Sequence, residues 1–314
     1  MAGDYAVVRL GDSLDGPRPF RMKFNTPKGE VEDYLSILDK EIVRSAVDFN
    51  KLQKTCFELI CRMPLPMWIF DKGFVLRSRR NFNGEVFRNA SEISYNPFPD
   101  KIGIGRFNLD REAVFYSSVP LSTSGTQGYA SSICEGAKEI FDTEGGQSRY
   151  EFTVGKWVVA KPINVILLTF YEPAIKNCRD AKLLDGRFGG DLREALSADD
   201  YRTWRGFQEF FSQRAAKKYD SQTSYLLTTA FYHALQQRYG DKLGILYSSS
   251  MTENQGMNLA LTKGVIDGGF LSLEGANMVR CERNPSNYKK YTVYPCSNYA
   301  VANDQGKIAF TSIV

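Results

Sequence analysis

The stretch GILYSSSMTENQGMNLAL, residues 244–261, carries more specific information about the fold than any other part of the chain. Its first four residues, 244–247, have the apolar and aromatic composition of a strand, and three serines follow them. Taken alone, the serines at 248–250 are typical of a polar turn. The stretch therefore predicts a strand that ends in a row of hydroxyl groups, and the motifs upstream are interpreted together with it.

Further groups of polar residues flank strand-like runs earlier in the chain. The sequence RSRR at 77–80 follows the apolar run FVL at 74–76, and GRFN at 105–108 precedes the run VFYSS at 114–118. Glu135 lies in residues 131–140, whose pattern indicates a short helix. Considered singly, RSRR is typical of a solvated basic turn, and Glu135 of a charge favoured at a helix N-terminus. In chain order, however, these features and the 244–261 stretch form a set of five motifs.

In this order the five motifs resemble the RES domain family, which is named for its Arg, Glu and Ser. The resemblance covers about residues 70–170 and 222–273, and it leaves residues 1–65 and 175–219 unexplained. It implies a fold akin to the ADP-ribosyltransferases and an enzyme that consumes NAD. The reaction would be cleavage of the nicotinamide–ribose bond, by a glycohydrolase or phosphorylase, or transfer of ADP-ribose to a protein. Many members of the family are toxins, so a cognate antitoxin is an expected partner.

The family's functional residues carry over to six positions of this chain. The resemblance implies catalytic roles for Glu135, Arg77 and Ser249. It implies NAD-binding roles for Arg77, Arg106, Tyr116, Ser249 and Asn258. Neighbouring residues fit three of these positions as well, namely Arg79 beside Arg77, Glu139 one helical turn after Glu135, and Ser248 or Ser250 beside Ser249. The chain departs from the family pattern at Ser248, where proline is usual, and at residues 122–129, which lengthen the link from Tyr116 to Glu135.

The residue types suit the implied chemistry. Arginine binds the oxygens of a pyrophosphate in bidentate fashion, which suits Arg77 and Arg106 to hold NAD. A carboxylate such as Glu135 stabilises the oxocarbenium-like state through which an N-glycosidic bond breaks. Tyr116 can stack on the nicotinamide ring, and Ser249 can hydrogen-bond the ribose. The main rival hypothesis is a binding or interaction protein that keeps the RES fold without turning NAD over.

The remaining pattern predicts an α+β fold with helices on a mixed, antiparallel-rich sheet, and the resemblance makes this an ADP-ribosyltransferase-like RES fold. We divide the chain into an N-terminal arm and amphipathic helix, residues 1–68, and a RES-like catalytic domain, residues 69–314, with a helical insertion at about 175–219. Strand composition recurs at residues 68–77, 113–118, 150–159, 163–170, 244–247, 270–283, 288–294 and 307–313, and helical spacing at 197–219 and 222–239.

Apolar residues at three- and four-residue steps from Val31 to Ile60 predict one long amphipathic helix. This stripe has nine apolar positions, which are too many to be left exposed to solvent, so another surface must pack against them. We expect them to pack on the aromatic part of the insertion, residues 204–211. A second subunit, in a homodimer, is the alternative cover.

Composition excludes several classes of protein and site. The formal charge is +4 without a polybasic run, so nucleic acid is not an expected partner. One histidine, His233, and six scattered cysteines without a CxxC pair do not favour a metal site or a disulfide framework, and we expect no metal. The N-terminal residues lack a signal-peptide pattern and no apolar run is long enough to span a bilayer, which together predict a cytoplasmic protein away from membranes.

Overall fold

One large mixed sheet organises the part of the chain that the structure describes. The structure is a computed structural model, and it describes residues 8–10, 27–44, 46–82, 84–120, 149–219, 221–284, 286 and 291–311. In chain order its strands are β1 (Val8–Leu10), β2 (Pro66–Phe70), β3 (Phe74–Asn81), β4 (Val114–Ser118), β5 (Arg149–Val159), β6 (Ile163–Leu168), β7 (Leu243–Ser248), β8 (Met257–Thr262), β9 (Leu271–Arg283), β10 (Tyr291–Pro295) and β11 (Ala300–Val301).

The strand order across the sheet is β1-β2-β6-β7-β8-β4-β3-β5-β9-β10, and β11 pairs with β9. Among these described strands, only the β1–β2 and β6–β7 pairs are parallel. The other pairings are antiparallel, as in β7–β8, β8–β4, β4–β3 and β3–β5. The prediction of an α+β fold with a mixed, antiparallel-rich sheet is therefore confirmed at the level of fold class.

The described helices fall into four groups along the chain. Their bounds are α1 (Lys28–Ile42), α2 (Phe49–Arg62), α3 (Ala90–Ile93), α4 (Glu172–Asn177), α5 (Arg179–Leu184), α6 (Gly190–Ala195), α7 (Ala198–Ala216), α8 (Leu226–Tyr239) and α9 (Lys263–Asp267), with 3-10 turns at Pro99–Lys101 and Gln222–Tyr225 and a π-helical turn at Asp185–Gly189. Helices α4 to α8 connect β6 to β7, because parallel neighbours need a long crossover. The predicted insertion, residues 175–219, thus lies within this crossover.

Local signals place the ends of the crossover helices. The Ser197 hydroxyl accepts a hydrogen bond from the Asp200 backbone N–H at 3.1 Å, which starts α7 at the residue that the sequence predicts. Helix α8 ends at Gly240, whose φ of 85° lies in the left-handed region that glycine adopts at low cost. Both predicted ends are confirmed.

The prediction of one helix from Val31 to Ile60 is wrong, because the chain breaks between α1 and α2. Asp48 has an extended backbone, and its carboxylate accepts a hydrogen bond from the Lys51 N–H at 3.1 Å, so it caps a new helix. Glu41, which is buried, receives the Asp48 N–H at 3.2 Å and the Lys51 ammonium at 2.7 Å. These two carboxylates satisfy N–H groups that an unbroken helix would bond internally.

The apolar stripe of the two N-terminal helices is nevertheless covered within the chain, as expected. Val31, Leu38 and Leu52 belong to the same buried cluster as the aromatic rings of α7. The Trp204 indole donates a hydrogen bond to the Pro64 carbonyl at 3.0 Å, which ties α7 to the residues after α2. The prediction that the chain itself covers the stripe is confirmed, but the predicted surface is correct only for α1, which packs on α7, because α2 packs mainly on α8, outside the insertion.

Strand boundaries differ from the sequence pattern in several places. The run predicted at 68–77 is two strands, β2 and β3, separated by a turn at Gly73 with a φ of 110°. The chosen domain boundary after residue 68 falls inside β2. Residues 307–311 form no strand, only an isolated bridge between Lys307 and Asn89. Within the predicted N-terminal arm, residues 8–10 form β1, which pairs with β2.

No helix within the described ranges is long and apolar enough to cross a membrane.

Candidate functional site

Arg77, on β3, lines a cavity of about 730 Å³. Its Nε donates to the Ser94 carbonyl at 2.9 Å and its Nη1 to the Tyr116 carbonyl at 2.6 Å. The guanidinium also lies over the Phe115 ring, 5.0 Å from the centroid. Burial, with a further contribution from the Arg79 charge, lowers the pKa of Arg77 to about 10, so it remains a cation at neutral pH.

Arg79 lines the same cavity, because residues two apart on a strand share a face. Its Nη1 donates to the Glu92 carbonyl, and its guanidinium lies 4.7 Å from the centroid of the Phe87 ring. Within the described residues, neither Arg77 nor Arg79 has a carboxylate at ion-pair distance. The two like charges therefore share one cavity wall without a neutralising salt bridge.

The opposite walls of the cavity come from the connection between β3 and β4. Besides the two arginines, the lining residues are Phe82, Gly84, Glu85, Ser94, Asn96, Phe98 and Lys101. Helix α3 holds this connection, since Glu92 accepts hydrogen bonds from the Asn89 and Arg88 N–H groups, both at 2.8 Å, and closes a capping box. The wall is thus a locally fixed structure and not only a loop between two strands.

Arg106 lies in a different environment. Its Nη1 donates to the Ala215 and Lys217 carbonyls, the latter at 2.6 Å, and its Nη2 donates to the Ser250 hydroxyl at 3.2 Å. The Tyr225 and Tyr247 rings lie 5.2 and 5.4 Å from its guanidinium carbon. Arg106 therefore joins the end of α7, the start of α8 and the turn after β7.

Tyr116 orients the GRFN motif through its hydroxyl. That hydroxyl donates to Asn108 Oδ1 and accepts from the Phe107 N–H, both at 2.9 Å. The Gly105 N–H donates to the Asn108 carbonyl at 3.0 Å, and a Cβ at Gly105 would clash with the Asn108 side chain, which explains the glycine. Burial, together with the nearby Tyr247, raises the pKa of Tyr116 well above its usual value, so the hydroxyl stays protonated.

The three serines after β7 have three distinct environments. Ser248 ends the strand and is buried, with its hydroxyl directed at the Met257 sulfur at 3.9 Å. Ser249 is 0% exposed, and its hydroxyl accepts from the Thr252 N–H at 3.2 Å, which stabilises the turn that leads to β8. Ser250 is half-buried and faces Arg106. Ser250 is therefore the most accessible of the three to a ligand beside Arg106.

Asn258, on β8, lies in register with Ser118 of β4 and Tyr247 of β7. Its side-chain oxygen accepts from the Ser118 hydroxyl at 3.4 Å, and the residue is buried. This places Asn258 in the middle of the sheet, on the strand between β7 and β4.

The two candidate catalytic carboxylates, Glu135 and Glu139, lie outside the described residues. The strands that precede and follow them in the chain, β4 and β5, are the two neighbours of β3, which carries Arg77. The structure therefore leaves the glutamate register open.

The described candidates form two groups. Arg106, Tyr116 and Ser250 lie close to Tyr247, whereas Arg77 lies on the face of β4 that carries Phe115. Consecutive strand residues point to opposite faces, so the Phe115 and Tyr116 side chains lie on opposite sides of the sheet. The hydrogen bond between the two residues runs from the Arg77 guanidinium to the Tyr116 backbone carbonyl, so it does not involve the Tyr116 side chain.

Sequence reasoning did not identify Ser94, Phe98 and Lys101 as cavity residues. The only signal was position, since Lys101 stands two residues before Gly103, where the GIGRFN sequence at 103–108 begins. Nothing in local composition distinguishes these residues from an ordinary surface connection, because their shared cavity depends on how the connection folds over β3.

His233, the single histidine, contacts Glu112 and Phe49. Its Nε2 lies 2.8 Å from the Glu112 carboxylate, and its ring packs edge-on against Phe49 at 5.6 Å. In the part of the chain that the structure describes, no group of three or more His, Cys, Asp or Glu side chains could hold a metal ion. Of the six cysteines, the five that are described form no disulfide with one another.

Comparison with known proteins does not identify a family for the chain. No protein-family model matches the chain. No curated protein matches it either.

Proposed function

We propose that the chain is an NAD-consuming enzyme of the RES type that cleaves the nicotinamide–ribose bond. The observation that carries the proposal is Arg77, in an Arg-x-Arg sequence that the RES resemblance selects, lining a cationic cavity. A guanidinium has five N–H donors, and the two hydrogen bonds described above leave three for a ligand.

The size and charge of the cavity support a phosphate-bearing substrate. Small-molecule sites span roughly 300–1,000 Å³, and about 730 Å³ lies within that range. Arg77, Arg79 and Lys101 supply three cations, and Glu85 is the single carboxylate in the described lining. An anion such as pyrophosphate would offset the repulsion between Arg77 and Arg79.

The residues near Tyr247 would take supporting roles in this proposal. Tyr116 positions Asn108 and the backbone of Phe107, and Ser250 offers a hydroxyl beside the Arg106 cation. Glu135 would stabilise the positive charge that develops on the ribose as nicotinamide leaves. Water, phosphate or a protein side chain would then accept the ADP-ribose.

The RES-type fold, the toxin role and the antitoxin partner belong to the same proposal. All three rest on the order of the five motifs. Of the three, only the fold draws support from the structure, at the level of its α+β class. A toxin would arrest growth and lower cellular NAD when its expression is induced, and co-expression of an antitoxin would prevent both effects.

The decisive experiment is incubation of the purified chain with NAD and measurement of free nicotinamide. We expect release by the native chain and none by Glu135→Gln, which removes the charge needed late in bond cleavage. Glu139→Gln is the matched control, one helical turn away, and should retain activity. If Glu139→Gln is inactive and Glu135→Gln is active, the glutamate register is wrong by one turn.

Absence of nicotinamide release by the native chain, with or without added phosphate and candidate acceptor proteins, would contradict the proposal. Labelled NAD separates the reactions, because label on a protein indicates transfer and free ADP-ribose indicates hydrolysis. ADP-ribose 1-phosphate would indicate phosphorolysis.

A non-catalytic RES-fold binding protein is the second candidate, and the Ser249 environment favours it. The Ser249 hydroxyl is fully buried and holds a turn, so it does not face a ligand. Measurable NAD affinity without nicotinamide release would support this candidate over the enzyme.

A further inference from the structure

Two phenylalanine rings stand exposed at the cationic cavity. Phe82 is 56% exposed and Phe98 is 54% exposed, and both line the cavity with Arg77 and Arg79. Single exposed apolar residues are common, but two exposed rings that line one cavity form an apolar surface that a ligand can cover. Each ring also lies beside a cation, with Arg80 4.5 Å from the Phe82 centroid and Lys101 5.1 Å from the Phe98 centroid. Beside cations, they are suited to stack on the flat ring of an anionic ligand.

A second, independent feature points to a ligand in the same cavity. Ser94 is 7% exposed, and its hydroxyl is buried without a hydrogen-bond partner among the described residues. A buried hydroxyl that lacks a partner has a free-energy cost. Because Ser94 lines the cavity and its carbonyl already binds Arg77, a bound phosphate could accept from both side chains.

Asn96 adds a group that can recognise a base edge. Its Oδ1 accepts from the Phe98 N–H at 3.0 Å, which orients the amide beside the Phe98 backbone. An asparagine amide can donate to N7 of adenine and accept from its N6 amino group. The amide is half-buried and lines the cavity.

We propose that this cavity binds an adenine nucleotide, with its phosphate on Arg77, Arg79 and Ser94 and its adenine ring against Phe98 and Phe82, read by Asn96. The assignment rests on the proposed function in one respect, the identity of the whole substrate. If that substrate is NAD, its adenosine monophosphate half binds in this cavity. None of Phe82, Asn96 and Phe98 belongs to the motifs that suggested the function.

Glu85 provides a test in which a substitution should increase the affinity for the ligand. Its carboxylate lines the cavity and opposes any bound anion. Glu85→Gln should therefore tighten binding of a nucleotide phosphate several-fold, whereas Arg79→Gln should weaken it tenfold or more. Opposite changes from two neutralising substitutions are not the pattern of general unfolding.

The experiment is calorimetric titration of the full chain with AMP, nicotinamide mononucleotide and inorganic phosphate, each used alone. We expect AMP to bind most tightly. Phe98→Ala should weaken AMP about tenfold and leave phosphate unchanged, because base stacking is lost while the phosphate contacts remain. Tyr294→Ala, which removes a ring that is 40% exposed and does not line the cavity, is the matched control and should change neither affinity.

Several outcomes would overturn the assignment. Equal affinities for AMP and phosphate, unaffected by Phe98→Ala, would mean a simple anion site. Equal or tighter binding of nicotinamide mononucleotide would remove the preference for adenine. Absence of AMP binding would also overturn it, even if NAD is turned over. If AMP binds as expected but no nicotinamide is released, the assignment of the cavity holds and the enzymatic function is refuted.

Discussion

The two arginines that the RES motifs select, Arg77 and Arg106, have different roles in the folded chain. Arg77 makes two hydrogen bonds to carbonyls and still lines an open cavity beside Arg79. Arg106 binds the Ala215 and Lys217 carbonyls and the Ser250 hydroxyl, and it lies outside the lining of that cavity. The comparison shows that a motif can specify the residue type while distant backbone carbonyls decide whether the cation is available to a ligand.

The largest expected effect is on stability, at Arg106. Arg106→Ala should lower the free energy of unfolding by about 3 kcal/mol, because two carbonyls and a hydroxyl lose their donor. Urea denaturation measures the change. Arg202→Ala on α7, the helix whose end Arg106 binds, removes an ion pair with an exposed Asp199; it is the control and should change stability by less than about 0.5 kcal/mol.

The contrast drawn between Arg77 and Arg106 would be wrong if Arg106→Ala left stability unchanged and abolished NAD binding. Arg106 would then be a ligand-binding residue, and its contacts to Ala215 and Lys217 would be replaced when the substrate binds.

Arg77→Ala should act mainly on binding. Loss of its charge-assisted hydrogen bonds should weaken NAD by about 1.5–3 kcal/mol, which is about a 10- to 150-fold rise in Kd. Its effect on unfolding should be smaller than that of Arg106→Ala, since repulsion with Arg79 is relieved. Equilibrium dialysis with NAD measures the affinity, and an unchanged Kd would remove Arg77 from the proposed phosphate site.

Ser249 and Ser250 also differ in their structural roles, and the expected effects on stability are smaller than those at the arginines. Ser249→Ala should destabilise the chain by about 1 kcal/mol, because the Thr252 N–H loses its acceptor in a buried turn. Ser250→Ala should change stability less, since Ser250 is half-buried and Arg106 keeps its two carbonyls. Thermal unfolding of the two variants distinguishes them, and a reversed order would show that Ser250 is the structural serine.

Glu41 is an acidic counterpart of Arg106, and its contribution to stability should be lost in acid. The Lys51 ammonium, followed by the Asp48 N–H, lowers the pKa of Glu41 from 4.5 to about 2. A pKa lowered on folding stabilises the folded state above the unfolded value, and this stabilisation is lost as the pH falls from 4.5 towards 2.

Glu41→Gln should therefore reduce the fall in stability over that pH range. Denaturation of native and variant chains at a series of pH values measures it. Parallel curves from pH 5 to pH 2 would show that the Glu41 carboxylate contributes nothing to the acid sensitivity of the fold.

Much of the local structure could be predicted from the sequence. The start of α7 at Ser197 and the end of α8 at Gly240 follow from the chemistry of a hydroxyl cap and of a residue without a Cβ. The strand composition of residues 150–159 and 163–170 corresponds to β5 and β6, although β6 ends two residues earlier than predicted, at Leu168. The α+β class followed from the same periodicities. Arg77, which the pattern places at the end of a strand, lies instead in the middle of β3, and residues 77–80 are all part of that strand.

The break between α1 and α2 could not be predicted from hydrophobic spacing, because the stripe continues across it. Asp48 and Glu41 end the helical bonding there by accepting backbone and lysine protons. Such side-chain contacts compete with helix formation in a way that apolar periodicity does not reveal.

The sequence by itself determined the residue types of the candidate site, the apolar stripes and the local helix ends, because these depend on a few neighbouring residues. Only the tertiary structure decided that Arg77 and the Tyr116 side chain lie on opposite faces of the sheet, that Ser249 is buried in a turn while Ser250 faces Arg106, and that Phe98 and Ser94 share a cavity with Arg77. These relations depend on cross-strand register and on carbonyls more than 15 residues away in the chain, as in the bonds from Arg77 to Ser94 and Tyr116. Hydrogen bonds of that kind form only once the strands are paired, so no local pattern encodes them.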